Sequence, residues 1–152
     1  MDVSESTPRS VLVTGGNRGI GRAIAEAFVA NGDAVAVTSR NGDAPDGATA
    51  YACELTDRAS VLAAYDAVEA AQGPVEVLVA NAGITRDGLV LRMPDEDWDD
   101  VLATNLTSAF TLSRRAVKSM LRLRRGRIVL VSSVVALTGS PGQVNYGASK
   151  AG

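Results

Sequence analysis

Ser10–Gly21 reads SVLVTGGNRGIG, and the fold is decided here. Ser10–Thr14 is a short apolar, β-branched run of the kind that fills a buried strand. It passes directly into Gly15, Gly16, Gly19 and Gly21. Ile20, Ile24, Ala27 and Phe28 then recur at helical spacing as far as Ala30, and Asn31-Gly32 stops the helix. Strand, glycine turn and helix in that order open a βαβ unit. Glycine keeps side chains away from backbone N–H groups, and the helix N-terminus adds positive partial charge, so an anion can be held there. The spacing is Gly-x3-Gly-x-Gly. A tight structural turn would also use these residues, but the flanking strand and helix favour a dinucleotide phosphate site built from Gly15, Gly16, Asn17, Arg18, Gly19, Ile20 and Gly21.

The same alternation continues outward. Ala34–Thr38 reads as a second strand, Asn41–Gly47 as a loop and Ala50–Cys53 as a third short strand. Asp57 is placed to cap a helix running to Ala71, which Gln72-Gly73-Pro74 ends. Val75–Ala80 is a fourth strand. Pro94 stands at a helix start, followed by Asp95, Glu96 and Asp97, which suit its positive end. That helix carries Trp98, Val101, Leu102 and Leu106 on one side and closes with Arg122, Arg124 and Arg125 before Gly126. Ile128–Val135 is a fifth strand, and Asn145–Gly152 opens a further helix. The expectation is an α/β, Rossmann-like, doubly wound parallel sheet with helices on both faces. Residues 1–9 read as a polar extension and 10–152 as one domain.

Composition excludes several chemistries. The 152 residues contain no histidine, which removes Ser-His-Asp and Cys-His catalysis and His-based zinc sites, and no metal is expected. Cys53 is the single cysteine, so no internal disulfide forms and a reducing compartment fits. Fifteen basic residues against seventeen acidic ones leave a net charge of −2, unlike a nucleic-acid binder. The N-terminus carries no secretory pattern, and no apolar run approaches the roughly 18 residues of a membrane span. A soluble, cytoplasmic protein is expected.

The end of the second strand bears on the choice of cofactor. An acid there would bind the 2′-hydroxyl of NAD. The sequence instead reads Thr38-Ser39-Arg40. Ser39 and Arg40, with Arg18 beside them, suit a 2′-phosphate, because the arginine fork donates two hydrogen bonds at once. Arg40 would otherwise be a solvated loop residue. Tyr146 and Lys150 share a helix face, beyond a strand that ends in Ser132-Ser133. Alone they read equally as an exposed pair. Asn105 lies mid-helix, where asparagine marks either a kink or a side chain with a task.

These pieces together resemble the classical short-chain dehydrogenases/reductases. The matching residues are Thr14-Gly15-x3-Gly19-Ile20-Gly21, Asn81-Ala82-Gly83, Asn105, Ser133 and Tyr146-x3-Lys150. The stretches Asn81–Asp87, Leu91-Arg92-Met93, Asn105–Ser108 and Asn145–Gly152 resemble the bacterial 3-oxoacyl-[acyl-carrier-protein] reductases. The resemblance implies NADP(H) as cofactor and reduction of a 3-oxoacyl thioester in fatty acid synthesis. Another carbonyl substrate, or a non-catalytic nucleotide-binding fragment, is the alternative. It implies that Tyr146 donates the proton, that Lys150 favours the phenolate and binds the nicotinamide ribose, and that Asn105 holds a relay water. Ser133, thirteen residues before the tyrosine, would hydrogen-bond the carbonyl oxygen, so Ser133 and Tyr146 form the substrate site. Asn81, Ala82 and Gly83 would flank the adenosine side. Glu54 and Leu55 stand where the family often has an acid or amide followed by valine beside the adenine. Arg124 falls where such reductases dock the acidic carrier protein, although the arginine cluster also reads as helix capping. A homotetramer is implied. Family members continue past Tyr-x3-Lys, so the chain reads as C-terminally truncated and of low activity alone.

Overall fold

The computed structural model describes residues 7–152. Of the expected extension, residues 1–6 lie outside the described part.

Five strands form one all-parallel sheet: β1 (Ser10–Thr14), β2 (Ala34–Ser39), β3 (Ala48–Ala52), β4 (Val77–Ala80) and β5 (Arg127–Leu130). Their spatial order is β3-β2-β1-β4-β5. The chain winds outward from β1 to β3, then returns to the other side of β1 for β4 and β5. The order therefore reverses between β1 and β4, and a crevice opens there at the carboxyl ends of the strands.

The expected two-faced cover is present over the middle strands. On one face Leu12, Ala36 and Leu78 pack against Val61, Tyr65 and Val68 of α2 (Arg58–Gln72) and Leu112 and Ala116 of α4 (Ser108–Leu123). On the other, Val11, Val13, Val35, Val37, Val77 and Val79 pack against Ala25, Ile24 and Phe28 of α1 (Gly19–Ala30). Alternate residues of one strand thus enter opposite cores, which is why these strands are apolar throughout. Asp57 caps α2 as its position predicts, its side chain accepting from the Ala59 N–H at 2.9 Å.

Several sequence expectations need correction. Ile20, at helical spacing with Ile24 but named for the phosphate site, is 69% exposed and faces the crevice. Ala27 is exposed as well. The fifth strand ends at Leu130, not Val135. The Val131 carbonyl accepts from Lys150 Nζ, and Ser133 Oγ accepts from the Val135 N–H at 3.3 Å, turning the chain into the short helix α5 (Val135–Thr138). β5 is also largely exposed, so its apolar residues are not covered on both faces. The long helix begins after Pro94 as α3 (Asp95–Leu102), widens into a π-helical turn over Ala103–Thr107, and continues as α4. Trp98 is exposed, while Val101 is buried. The last element, α6 (Val144–Ala151), is the helix expected from Asn145 onward.

Candidate active site

The glycine turn leaves β1 at the crevice. Gly15 and Gly19 have φ of +65° and +53°, a left-handed backbone that side chains disfavour. A Cβ at Gly19 would point into open space, so this glycine leaves the mouth of α1 clear. Gly21 serves a different need: a Cβ there would collide with the Gly15 carbonyl and Asn81 Nδ2. The turn is braced from β4. Thr14 Oγ1 accepts from the N–H groups of Asn81 and Ala82, both at 3.1 Å, and Asn81 Nδ2 donates to the Thr14 carbonyl at 3.1 Å. Asn81 thus joins the two strands flanking the reversal point. Thr14 is the residue that makes this possible, and a threonine ending a buried strand was the available signal for it.

The crevice above this turn is a cleft of about 860 Å³. Gly15, Asn17, Arg18, Gly19, Ile20 and Gly21 line one side, and Asn81, Ala82 and Gly83 another. Ser39, Arg40, Glu54 and Leu55 close the far end. The cleft therefore collects the sequence-derived cofactor residues except Gly16, which is buried beneath the turn, and Tyr146 and Lys150, which do not line it. Free backbone N–H groups at a helix start, open space over Gly19 and two exposed arginines suit a dinucleotide phosphate.

Two of these side chains are committed locally. Ser39 Oγ accepts from the Asp43 N–H at 3.0 Å and donates to its carbonyl at 3.2 Å, so it shapes the β2–β3 loop. Glu54 Oε1 accepts from the Thr56 N–H and hydroxyl at 3.1 and 2.9 Å. Leu55 packs partly on the core under α2. Arg18 and Arg40 form no ion pair among the described residues. Asn41 and Arg86 also line the cleft, and neither stands out in the sequence.

Two of the four catalytic candidates, Asn105 and Lys150, lie beside Gly83. A Cβ there would lie 3.2 Å from Asn105 Oδ1 and 3.3 Å from Lys150 Nζ, so glycine permits both to approach the cleft wall. Asn105 is buried in the π turn. Its Oδ1 accepts from the Ile84 N–H at 2.8 Å, while Nδ2 donates to the Ile84 carbonyl and to Ser149 Oγ, both at 3.0 Å. Lys150 Nζ donates to the Val131 carbonyl at 2.7 Å and stands 5.9 Å from the Tyr146 ring centroid. Burial holds the Lys150 pKa below the usual lysine value, because removal of water disfavours the charged amine.

The two serines are told apart by their bonds. Ser132 Oγ donates to the Lys150 carbonyl at 2.7 Å, which occupies its proton. Ser133 Oγ only accepts, from Val135, so its own proton is free to be donated. Ser133 and Tyr146 share no hydrogen bond. Arg124 lies apart, exposed at the end of α4, in the left-handed conformation with φ of +54°. Its neighbours Arg125 and Arg127 are engaged with Glu76 Oε2 at 2.6 Å and the Gly126 carbonyl at 2.8 Å. Among the described residues no cluster of potential metal ligands occurs, and no helix is long and apolar enough to cross a membrane.

Residues 9–152 match the short chain dehydrogenase family. The chain is 51% identical over 144 residues to the 3-oxoacyl-[acyl-carrier-protein] reductase MabA of Mycobacterium avium, covering 95% of this chain and 56% of that protein. MabA of Mycobacterium tuberculosis is likewise 51% identical over 95% of this chain and 58% of its own length. The 3-oxoacyl-[acyl-carrier-protein] reductase FabG of Escherichia coli K12 is 44% identical over 149 residues, 93% of this chain and 61% of the relative. The chain thus spans somewhat over half the length of these curated relatives.

Proposed function

This chain belongs to the short chain dehydrogenase family, and from that premise we propose that it carries the cofactor site and catalytic residues of an NADPH-dependent 3-oxoacyl-[acyl-carrier-protein] reductase. The observation that carries the reading is the meeting of Asn105 and Lys150 at Gly83, on the wall of a cleft formed where the sheet order reverses. The names of these relatives support 3-oxoacyl-[acyl-carrier-protein] as the substrate class.

Gly15–Gly21 would hold the pyrophosphate, and Arg18 and Arg40 the 2′-phosphate. Ser39 contributes by fixing the loop that presents Arg40. When bound, NADPH supplies the hydride. Ser133 donates a hydrogen bond to the carbonyl oxygen as negative charge develops and keeps its proton. Tyr146 delivers a proton to that oxygen, and the Lys150 ammonium favours the resulting phenolate. Asn105 fixes the loop after β4 beside Lys150, where a relay water would lie. Arg124 would meet the acidic carrier protein, an attraction that raises association rate and weakens with salt. The same reading takes the enzyme to be cytoplasmic and homotetrameric.

Absorbance of NADPH during turnover of carrier-bound and CoA-bound 3-oxoacyl thioesters tests the proposal. Tyr146→Phe should lower kcat by about 10²–10⁴-fold while NADPH affinity, read by fluorescence, is retained. Equal loss of both would remove Tyr146 from its role. Preference for NADH would overturn the 2′-phosphate assignment, and indifference to the carrier would overturn the docking role of Arg124.

A further inference from the structure

Asn145 is fully buried, with 0% of its surface exposed. All of its amide is used. Nδ2 donates to the Arg86 carbonyl at 2.9 Å and to the Asp97 carbonyl at 3.1 Å, and Oδ1 accepts from the Tyr146 N–H at 2.8 Å. One side chain therefore joins the loop after β4, the first turn of α3 and the start of α6. A second, more exposed pair of contacts closes the same junction. Gln143 Nε2 donates to the Asp87 carboxylate at 3.2 Å, and the Gly88 N–H donates to the Gly142 carbonyl at 2.8 Å. Arg86 lines the cofactor cleft, so the junction runs from the cleft wall to the backbone of Tyr146. Apolar packing could hold α6 equally firmly but would leave it free to slide. Directional bonds to two other segments fix its register, and a buried amide that loses them has no water to turn to.

We infer that Asn145 is a positioning residue that locks the Tyr146 backbone to the loop walling the cofactor cleft. The inference rests on the reductase reading for the role of Tyr146, but the lock itself does not.

Asn145→Asp keeps the shape and removes both donors. Expected is a fall in kcat on the order of 10–100-fold, as for a slightly misplaced catalytic group. KM and the NADPH dissociation constant should stay within about twofold of the parent. Amide hydrogen exchange should accelerate at Tyr146 and Gly88 and remain unchanged in β1 and β4. Acidification should raise the ratio of variant to parent kcat, because a protonated carboxyl regains one donor. Unchanged kcat, or exchange that rises equally throughout the sheet, would overturn the inference. If the parent chain binds NADPH yet reduces no 3-oxoacyl thioester, the exchange pattern alone decides the lock. If Asn145→Asp does not fold, Gln143→Ala replaces it: faster exchange at Tyr146 and Gly88 supports the lock, and unchanged exchange at both rejects it.

Discussion

In β1 every residue from Ser10 to Thr14 is buried, whereas in β5 Val129 is 47% and Leu130 57% exposed. The two strands belong to one parallel sheet and are similarly apolar. They differ in what covers them. β1 lies at the centre, between the cores under α1 and under α2 and α4. β5 is the outer strand, next to the site built by α5 and α6. The site there is organised by polar bonds instead: Asn105 to Ile84 and Ser149, Asn145 to Arg86 and Asp97, Ser132 to the Lys150 carbonyl, and Lys150 to the Val131 carbonyl. The cofactor half is held by close-packed volume, which tolerates little loss. Around α6 the polar bonds add direction to the apolar packing, so loss of a bonded partner there should matter more than loss of exposed apolar area.

Four substitutions test that contrast. The largest effect is expected in the centre. Leu78→Ala in β4 removes a fully buried side chain and should cost about 3–5 kcal/mol, read from the urea unfolding midpoint. A cost below about 1 kcal/mol would mean that the central core relaxes into the gap. Gly21→Ala drives a methyl against the Gly15 carbonyl and Asn81 Nδ2. Losing about 1.4 kcal/mol of binding by displacing the turn should weaken NADPH about tenfold. Fluorescence titration reads this, and unchanged affinity would show that the turn is more pliant than its packing implies.

A smaller effect is expected before β1 begins. Arg9 Nε and Nη2 fork onto the two Asp33 oxygens at 2.9 and 2.7 Å. That guanidinium holds the Asp33 pKa down to about 2. A depressed carboxyl stabilises the fold above its ordinary range near 3.8, and the gain disappears as pH falls through about 2. Arg9 is half exposed, so solvent screening limits the pair, and Asp33→Asn should cost about 1 kcal/mol at neutral pH and nothing near pH 2. A cost that persists in acid would assign it to packing. The smallest effect belongs to β5: Leu130→Ser should change stability by less than about 0.5 kcal/mol in this chain. A loss as large as that of Leu78→Ala would erase the contrast.

Much of the fold is legible in the residues. β1 is bounded correctly by its apolar run and the glycine that follows. Asp57 and Gly73 mark the ends of α2, because capping and left-handed backbone are local properties. The fifth strand is misread for a related reason. Val131, Val134 and Val135 are all β-branched, and propensity alone cannot see that Lys150 takes the Val131 carbonyl or that Ser133 turns the chain. In the site, the glycine turn and Tyr146-x3-Lys150 stand out because their spacing is itself the signal. Thr14, Ser149 and Asn145 fall within the matching stretches, but what they bond is not legible there, since those partners lie far away in sequence.

The alternation of strand and helix, the glycine turn after β1, the lack of histidine and the residue set that the family shares are all readable from the chain alone. Those depend on neighbours within a few positions, where backbone sterics and side-chain period act. Only the tertiary structure decided that Gly83 lets Asn105 and Lys150 reach one wall, that Ser133 and not Ser132 keeps a free proton, and that Asn145 ties α6 to the cleft. Each depends on where distant segments meet, and on which polar atoms are already bonded when they do.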